Sequence, residues 1–161
     1  MRLLVWDELP DAMKNEAVRP YYDSLRRKRF QLVMKRCFDI VASAILLVLL
    51  SPMFLVLAIV IKLDSPGPVF YRQERVTQYG KRFRIFKFRT MCDRADQMGS
   101  AVTTGGDPRV TRVGAKIRDY RLDEVSQLID ILRGTMTFVG TRPEVSQYVK
   151  AYTGEMMATL L

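Results

Sequence analysis

The chain has 161 residues, with 26 lysines and arginines against 17 aspartates and glutamates, a formal net charge of +9, and no histidine. The missing imidazole excludes histidine acid–base catalysis and histidine metal sites, so any chemistry must rest on carboxylates, lysine, arginine, tyrosine or a hard cation held by oxygen. Cys37 and Cys92 stand in no metal-binding spacing and suit structural thiols in a reducing compartment. The length allows one domain with a modest core, and the basic balance points to anionic lipid headgroups or phosphorylated ligands, with nucleic acid as the competitor.

Residues 1–19 are weakly patterned, and Trp6 with Leu9-Pro10 suggests a loop or short helix forming a peripheral arm. From Pro20 the pattern turns helical, with Tyr21, Tyr22, Leu25, Phe30, Leu32 and Val33 interleaved with Arg26, Arg27, Lys28 and Arg29, a mixture that suits a bilayer interface. Asp39 sits just inside an apolar stretch, where an unpaired acid is costly. Lys35 and Arg36 lie four and three residues earlier and are its expected partners in an anchoring ion pair.

The run from Ile40 to Ile61 carries no charge and as one helix would rise roughly 33 Å, enough to cross a hydrocarbon core. Ser51-Pro52 falls at its middle, where proline should break or kink the helix. Basic clusters flank both ends, and a crossing helix would place one of them outside, whereas a hairpin that leaves by the face it entered exposes neither. From this stretch taken by itself, a single crossing and a re-entrant hairpin both stand.

Asp64-Ser65-Pro66-Gly67-Pro68 ends the helix. Val69 to Arg72 and Phe83 to Phe88 read as two strands of a hairpin turned at Gln78-Tyr79-Gly80, a hairpin with one basic face in which Arg84, Lys87 and Arg89 are the candidate residues. Met91 to Met98 reads as a polar helix or loop, punctuated by Gly105-Gly106. Asp107-Pro108 signals a helix over Arg109 to Arg118. Leu122, Val125, Leu128, Ile129 and Leu132 then recur at helical spacing up to Gly134. Thr137 to Val139 reads as a brief strand, Gly140 to Glu144 as a turn, and Ser146 to Tyr152 as a last helix.

Asp123-Glu124 falls in the first turn of the helix that ends at Gly134. Acids there complement the helix dipole, which is reason enough for their presence. The same dipole would keep Asp123 ionised, as a nucleophile or a magnesium ligand must be. A carboxylate approaches a phosphate only with help from cations, and Arg118, Arg121 and Arg142 lie nearby in sequence.

Four ordered blocks then resemble a known family: KRCFDIV, LDSPGPVFYRQERV, FRIFKFRTM and RLDEVSQLIDILRGTMTFVGTRPE. They are similar to the monotopic phosphoglycosyl transferases, bacterial sugar transferases that start lipid-linked glycan and exopolysaccharide assembly. The resemblance implies an α+β fold with an N-terminal interfacial arm over 1–36, a re-entrant membrane hairpin over 37–62 broken at Ser51 and Pro52, and a cytosolic catalytic domain over 63–161. It implies an enzyme at the cytoplasmic face of the bacterial inner membrane that moves a sugar 1-phosphate from a UDP-sugar to polyprenyl (undecaprenyl) phosphate. Asp123 would be the nucleophile, carrying the phosphosugar covalently and binding Mg2+, with Glu124 assisting. Arg118, Arg142, Lys87 and Arg89 match positions expected to bind substrate. Partners would be the bilayer with its anionic lipids, with no nucleic acid; a homo-oligomer is compatible with the sequence, which does not itself specify the oligomeric state. Departures are Thr141 in GTRP, Val125-Ser126 after the acidic pair, and an ending that stops short of the family's Pro-Gly segment, as a truncated chain or a reduced C-terminus would. The alternative reading is a non-catalytic membrane-surface anchor that binds anionic lipids or a partner protein.

Overall fold

A computed structural model describes residues 3–99 and 106–161. The basic helical segment forms α1 (Arg19–Arg27) and, after a one-residue break at Lys28, runs on as α2 (Arg29–Leu49). Ser51 and Pro52 open α3 (Ser51–Asp64), bent by 60° from α2. Proline is tolerated in a first helical turn, where its missing N–H has no partner to lose. Its ring would clash with a continuous preceding turn, so the helix stops at Leu50 and restarts in a new direction. Ser51 Oγ donates to the Val48 carbonyl at 2.8 Å, satisfying an acceptor left over at the end of α2. Among the described residues no single helix is long and apolar enough to cross a membrane; α2 and α3 pass that test only as a bent pair. Val48, Leu49, Leu55 and Val56, around the bend, are exposed.

β1 (Phe70–Val76) and β2 (Arg82–Phe88) pair antiparallel with Phe70 opposite Phe88 and Arg72 opposite Phe86. The expected turn at Gln78–Gly80 joins them. β1 continues past Arg72 because its charged second half is matched across the ribbon: Glu74 faces Arg84 and pairs with Arg82 at 3.4 Å. The Met91 to Met98 segment holds one short turn at Ala95–Gln97, and Gly105 lies outside the described residues.

The next helix, α4, spans Arg112–Asp119 rather than starting at Arg109. Its cap is Thr111, whose hydroxyl accepts from the Gly114 N–H at 3.0 Å. Asp107 is engaged elsewhere: it accepts from the Arg109 N–H at 3.0 Å and from the guanidinium at 2.6 Å. These hydrogen bonds hold its carboxyl down at about 2. The stretch after Arg121 also divides. Leu122–Gln127 is a tight 3-10 helix, and only Leu128–Arg133 is α-helical (α5). Gly134, at φ +88, ends α5 in the left-handed conformation that glycine adopts without strain. The expected strand at Thr137 to Val139 is absent, because the Thr137 hydroxyl and the Phe138 N–H are turned to Asp39. The last α-helix, α6 (Ser146–Val149), stops before Tyr152.

The described residues thus make an α+β structure of six helices and one hairpin, with two cores. In one, Leu9, Met13, Val18 and Tyr22 of the N-terminal segment close on Val76, Leu160 and Leu161. In the other, Leu57 and Ile61 of α3 pack on Phe88 and Ile117, joining α3, β2 and α4. Each such fully buried aliphatic or aromatic side chain contributes about 1.5–3 kcal/mol through removal from water.

α2 is attached by polar groups instead, and here the expected ion pair is not formed. Asp39 is buried and accepts from the Thr137 hydroxyl at 2.7 Å and the Phe138 N–H at 3.3 Å. Arg36 reaches the other way, to the Ile131 and Leu132 carbonyls at 2.6 and 2.8 Å. Those carbonyls end α5, where Ile131 also accepts the Gly134 N–H at 3.1 Å, so a guanidinium fork there adds donors to the last-turn acceptors and meets the negative end of the helix.

Candidate active site

Four residues from three separate segments converge. Lys87 of β2 places its ammonium 3.0 Å from Glu124 Oε1 and 3.8 Å from Asp123 Oδ2. Arg142, in the turn after α5, donates to the same Glu124 oxygen at 2.8 Å. The lysine and the two acids are largely covered, whereas the Arg142 side chain is 64% exposed. The result is a pair of adjacent carboxylates bracketed by two cations, open on the Arg142 side.

Local structure explains how the acids arrive. Arg121 takes a left-handed conformation at φ +54, turning the chain sharply out of α4 into the 3-10 segment. In a 3-10 helix residues i and i+3 eclipse, so Ser126 lies over Asp123 and its hydroxyl meets the Asp123 carbonyl at 3.2 Å. The same hydroxyl lies 3.1 Å from the Phe86 carbonyl of β2. Asp130, on the next turn, accepts from the Phe86 N–H at 2.7 Å. Both Ser126 and Asp130 are buried.

Arg118 stands at the edge of the cluster. Its Nε donates to Thr90 Oγ1 at 2.8 Å, and its charge is felt by Asp123. α4 comes this close because Gly114 lies against the Thr90 carbonyl with no room for a Cβ. Arg89 is not brought to the acids. Its guanidinium is buried and donates to the Ser65 carbonyl at 2.6 Å, the Ser65 hydroxyl at 3.0 Å and the Pro66 carbonyl at 2.9 Å. It clamps the end of α3 to the hairpin and makes no ion pair with Asp123 or Glu124. Ser51 and Pro52 lie at the helix bend.

The two carboxyls experience different surroundings. Burial raises Asp123, and the repulsion of Glu124 adds to this; Lys87 and Arg118 oppose it without cancelling it. Burial also acts on Glu124, but the Lys87 hydrogen bond and the charges of Lys87 and Arg142 outweigh it and hold this carboxyl below its usual range. The two carboxyls are thus pushed in opposite directions, Asp123 up and Glu124 down, and the rise at Asp123 runs against a helix dipole dominating its titration. Among the described residues no group of three or more acids and cysteines is spaced to hold a metal ion. Asp123 and Glu124 supply a two-carboxylate donor set, which suits an ion such as Mg2+ that keeps several waters and takes further oxygens from substrate phosphates.

Spacing drew attention to the acids and the arginines but not to Thr90, Ser126 or Asp130. A serine and an aspartate on an amphipathic segment read as solvated positions. Only the approach of β2 shows them to be buried acceptors and donors.

The family model described as bacterial sugar transferase matches residues 30–160. The chain is 45% identical over 123 residues to the UDP-N-acetylgalactosamine-undecaprenyl-phosphate N-acetylgalactosaminephosphotransferase of Aeromonas hydrophila, covering 76% of this chain and 29% of the relative. It is 46% identical over 112 residues to the exopolysaccharide production protein PSS of Rhizobium leguminosarum bv. phaseoli, covering 69% and 56%. It is 43% identical over 122 residues to the UDP-glucose:undecaprenyl-phosphate glucose-1-phosphate transferase of Caulobacter vibrioides, covering 76% and 46%. The chain thus spans less than two thirds of the length of these three relatives. With the family model matched across more than three quarters of its residues, the chain belongs to the bacterial sugar transferases.

Proposed function

We propose that this protein transfers a sugar 1-phosphate from a UDP-sugar to undecaprenyl phosphate, through a phosphosugar held covalently on Asp123. The observation that carries the reading is the cluster itself: two adjacent carboxylates on a tight helical turn, shifted in opposite directions by their surroundings, with Lys87 and Arg142 at hand to meet phosphate charge. Two of the relatives above are named for UDP-sugar donors and for undecaprenyl phosphate.

In this reading an Asp123 oxygen attacks the phosphorus bonded to the sugar. The phosphorus–oxygen bond to UMP breaks, and UMP leaves with the electron pair. An oxygen of the acceptor phosphate then attacks the same phosphorus, the bond to Asp123 breaks and the carboxylate is restored. Glu124 takes a proton from the acceptor where the acceptor brings one. Lys87, Arg142 and Arg118 neutralise the phosphates, so that an anionic nucleophile reaches an anionic target. Mg2+ would be held by Asp123 with Glu124, and when bound it would supply charge screening between carboxylate and diphosphate.

The reading places α2 and α3 in the bilayer as a re-entrant hairpin, with the site at the cytoplasmic face of the bacterial inner membrane. Both arms of the bent pair are tied to one body that also carries the site: α2 through Arg36 and Asp39, α3 through Leu57, Ile61 and Asp64, whose carboxylate accepts from the Val113 N–H. A crossing would have to separate these attachments across the membrane. The exposed apolar residues of the bend would meet lipid tails, and Arg26 to Arg29 would meet anionic headgroups.

Intact-protein mass spectrometry after mixing the chain with Mg2+ and a panel of UDP-sugars, without lipid acceptor, tests the chemistry. The expected result is a mass gain of one phosphosugar that disappears in Asp123→Asn. A folded protein that gains no mass with any donor would falsify the covalent route and return the membrane-anchor reading. Topology is tested separately with single cysteines at positions 28 and 62. Both should react only from the cytoplasmic side, and labelling of one from outside means a crossing.

A further inference from the structure

Among the described residues β2 is one strand of a two-stranded ribbon, so one of its edges has no strand partner there and its backbone groups need another. At Phe86 that partner is the acidic segment itself. Asp130 accepts the Phe86 N–H at 2.7 Å, and the Ser126 hydroxyl lies 3.1 Å from the Phe86 carbonyl and 3.2 Å from the Asp123 carbonyl. Asp130 is 2% exposed and Ser126 fully buried, so neither group has water as an alternative. The Phe86 ring is held as well, with the Arg72 guanidinium 3.5 Å and that of Arg133 4.8 Å from its centroid. Phe86 is thus gripped through N–H, carbonyl and ring. The next residue is Lys87, whose ammonium lies between the two carboxylates.

We propose that Asp130 and Ser126 are positioning residues for this site: by gripping the Phe86 peptide they set the distance between Lys87 and the Asp123–Glu124 pair. The proposal rests on the phosphosugar-transfer reading for its kinetic consequences, but its geometric content does not depend on which reaction the site performs. The Phe86 N–H needs an acceptor oxygen rather than a negative charge. The amide oxygen of Asp130→Asn preserves that acceptor, and Asp130→Ala removes it. Ser126→Ala removes the hydroxyl that links the two backbone carbonyls and changes little else in volume.

The test uses the whole chain in detergent, with folding checked by circular dichroism and thermal melting. The first readout is the rate at which an amine-reactive acylating reagent modifies Lys87, followed by peptide mass spectrometry against the other lysines as internal controls. The second is the rate and donor KM of adduct formation with a UDP-sugar and Mg2+. Asp130→Ala and Ser126→Ala should each raise Lys87 labelling several-fold. Each should slow adduct formation by about 10- to 100-fold with little change in donor KM, the scale expected for a misplacement near 1 Å. Asp130→Asn should restore both readouts to near the parent values. Should Asp130→Ala fail to fold, Ser126→Ala and Asp130→Asn decide the matter. Folded Ser126→Ala protein with unchanged labelling and unchanged rate overturns the proposal, as does Asp130→Asn behaving like a full loss. If the parent chain forms no adduct with any donor, the transfer reading fails while the labelling comparison still decides the positioning role.

Discussion

The two arms of the bent helix pair are fastened to the rest of the molecule by different balances of chemistry, α3 by apolar packing with polar ties from Asp64 and Arg89 at its end, and α2 by buried polar groups beside one aromatic contact, Phe38 on Phe138. α3 is held by an apolar junction in which Leu57 and Ile61 meet Phe88 and Ile117, with the Phe54 and Phe70 rings 5.3 and 5.1 Å from that of Phe88. α2 is held by a polar junction, in which Arg36 closes the end of α5 and buried Asp39 collects two donors from the following turn. An apolar junction derives its strength from buried area and tolerates small shifts in direction. A polar junction contributes less net free energy, but it is strict about geometry, because a buried acceptor without its donor is costly. The acidic segment lies between them, leading directly into α5 and touching β2. On this view the α3 side supplies most of the stability and the α2 side fixes the orientation of the dyad-bearing turn.

The largest effect expected of a single change falls on the apolar side. Phe88→Ala should cost about 3–5 kcal/mol, seen as a large drop in the thermal unfolding midpoint in detergent, since it removes a fully buried ring that Phe54, Phe70, Leu57, Ile61 and Ile117 pack around. A loss below about 1 kcal/mol would invert the comparison. On the polar side, Asp39→Ala should cost about 1–3 kcal/mol by stranding the Thr137 hydroxyl and the Phe138 N–H. Asp39→Asn, which keeps one acceptor oxygen, should lose less, and equal losses would mean that charge rather than acceptor geometry matters there. Arg36→Lys should cost about 1 kcal/mol, because an ammonium cannot span both terminal carbonyls. Amide exchange at Gly134, whose N–H closes the last turn of α5, should quicken in that variant while exchange in α3 stays unchanged.

The smallest effect concerns acid. Asp107 binds protons less readily in the fold than in an unfolded chain, being held at about 2 by Arg109. Its contribution to stability is therefore present above the ordinary carboxylate value and is lost as pH falls towards about 2. Asp107→Asn should flatten that part of the acid limb of the stability curve, and an unchanged limb would show that other carboxylates set it.

Features decided by neighbouring residues were legible in the sequence. Proline sterics placed the helix break at Ser51-Pro52, alternation marked β2, and Gly134 marked the end of α5. The same reasoning misplaced the cap of α4. Asp107 and Thr111 are both competent caps, and Asp107 is diverted by Arg109, two residues away, through side-chain geometry that residue type does not reveal. The 3-10 form of Leu122–Gln127 was also hidden, because hydrophobic recurrence at three- and four-residue spacing does not separate one tight turn from one α turn.

What the sequence by itself determined about this protein is its family, the bent apolar pair and the adjacency of Asp123 and Glu124. All three follow from contiguous residues: ordered motif blocks, an uncharged run broken by proline, and two neighbouring acids. Tertiary structure alone decided which basic residues meet those acids. Lys87 and Arg89 stand two apart and look equivalent in FKFR, yet Lys87 reaches the carboxylates and Arg89 is consumed by the end of α3. The reason is competition for partners. A buried polar group takes the best donor or acceptor that packing brings within reach, and packing is settled between segments far apart in the chain.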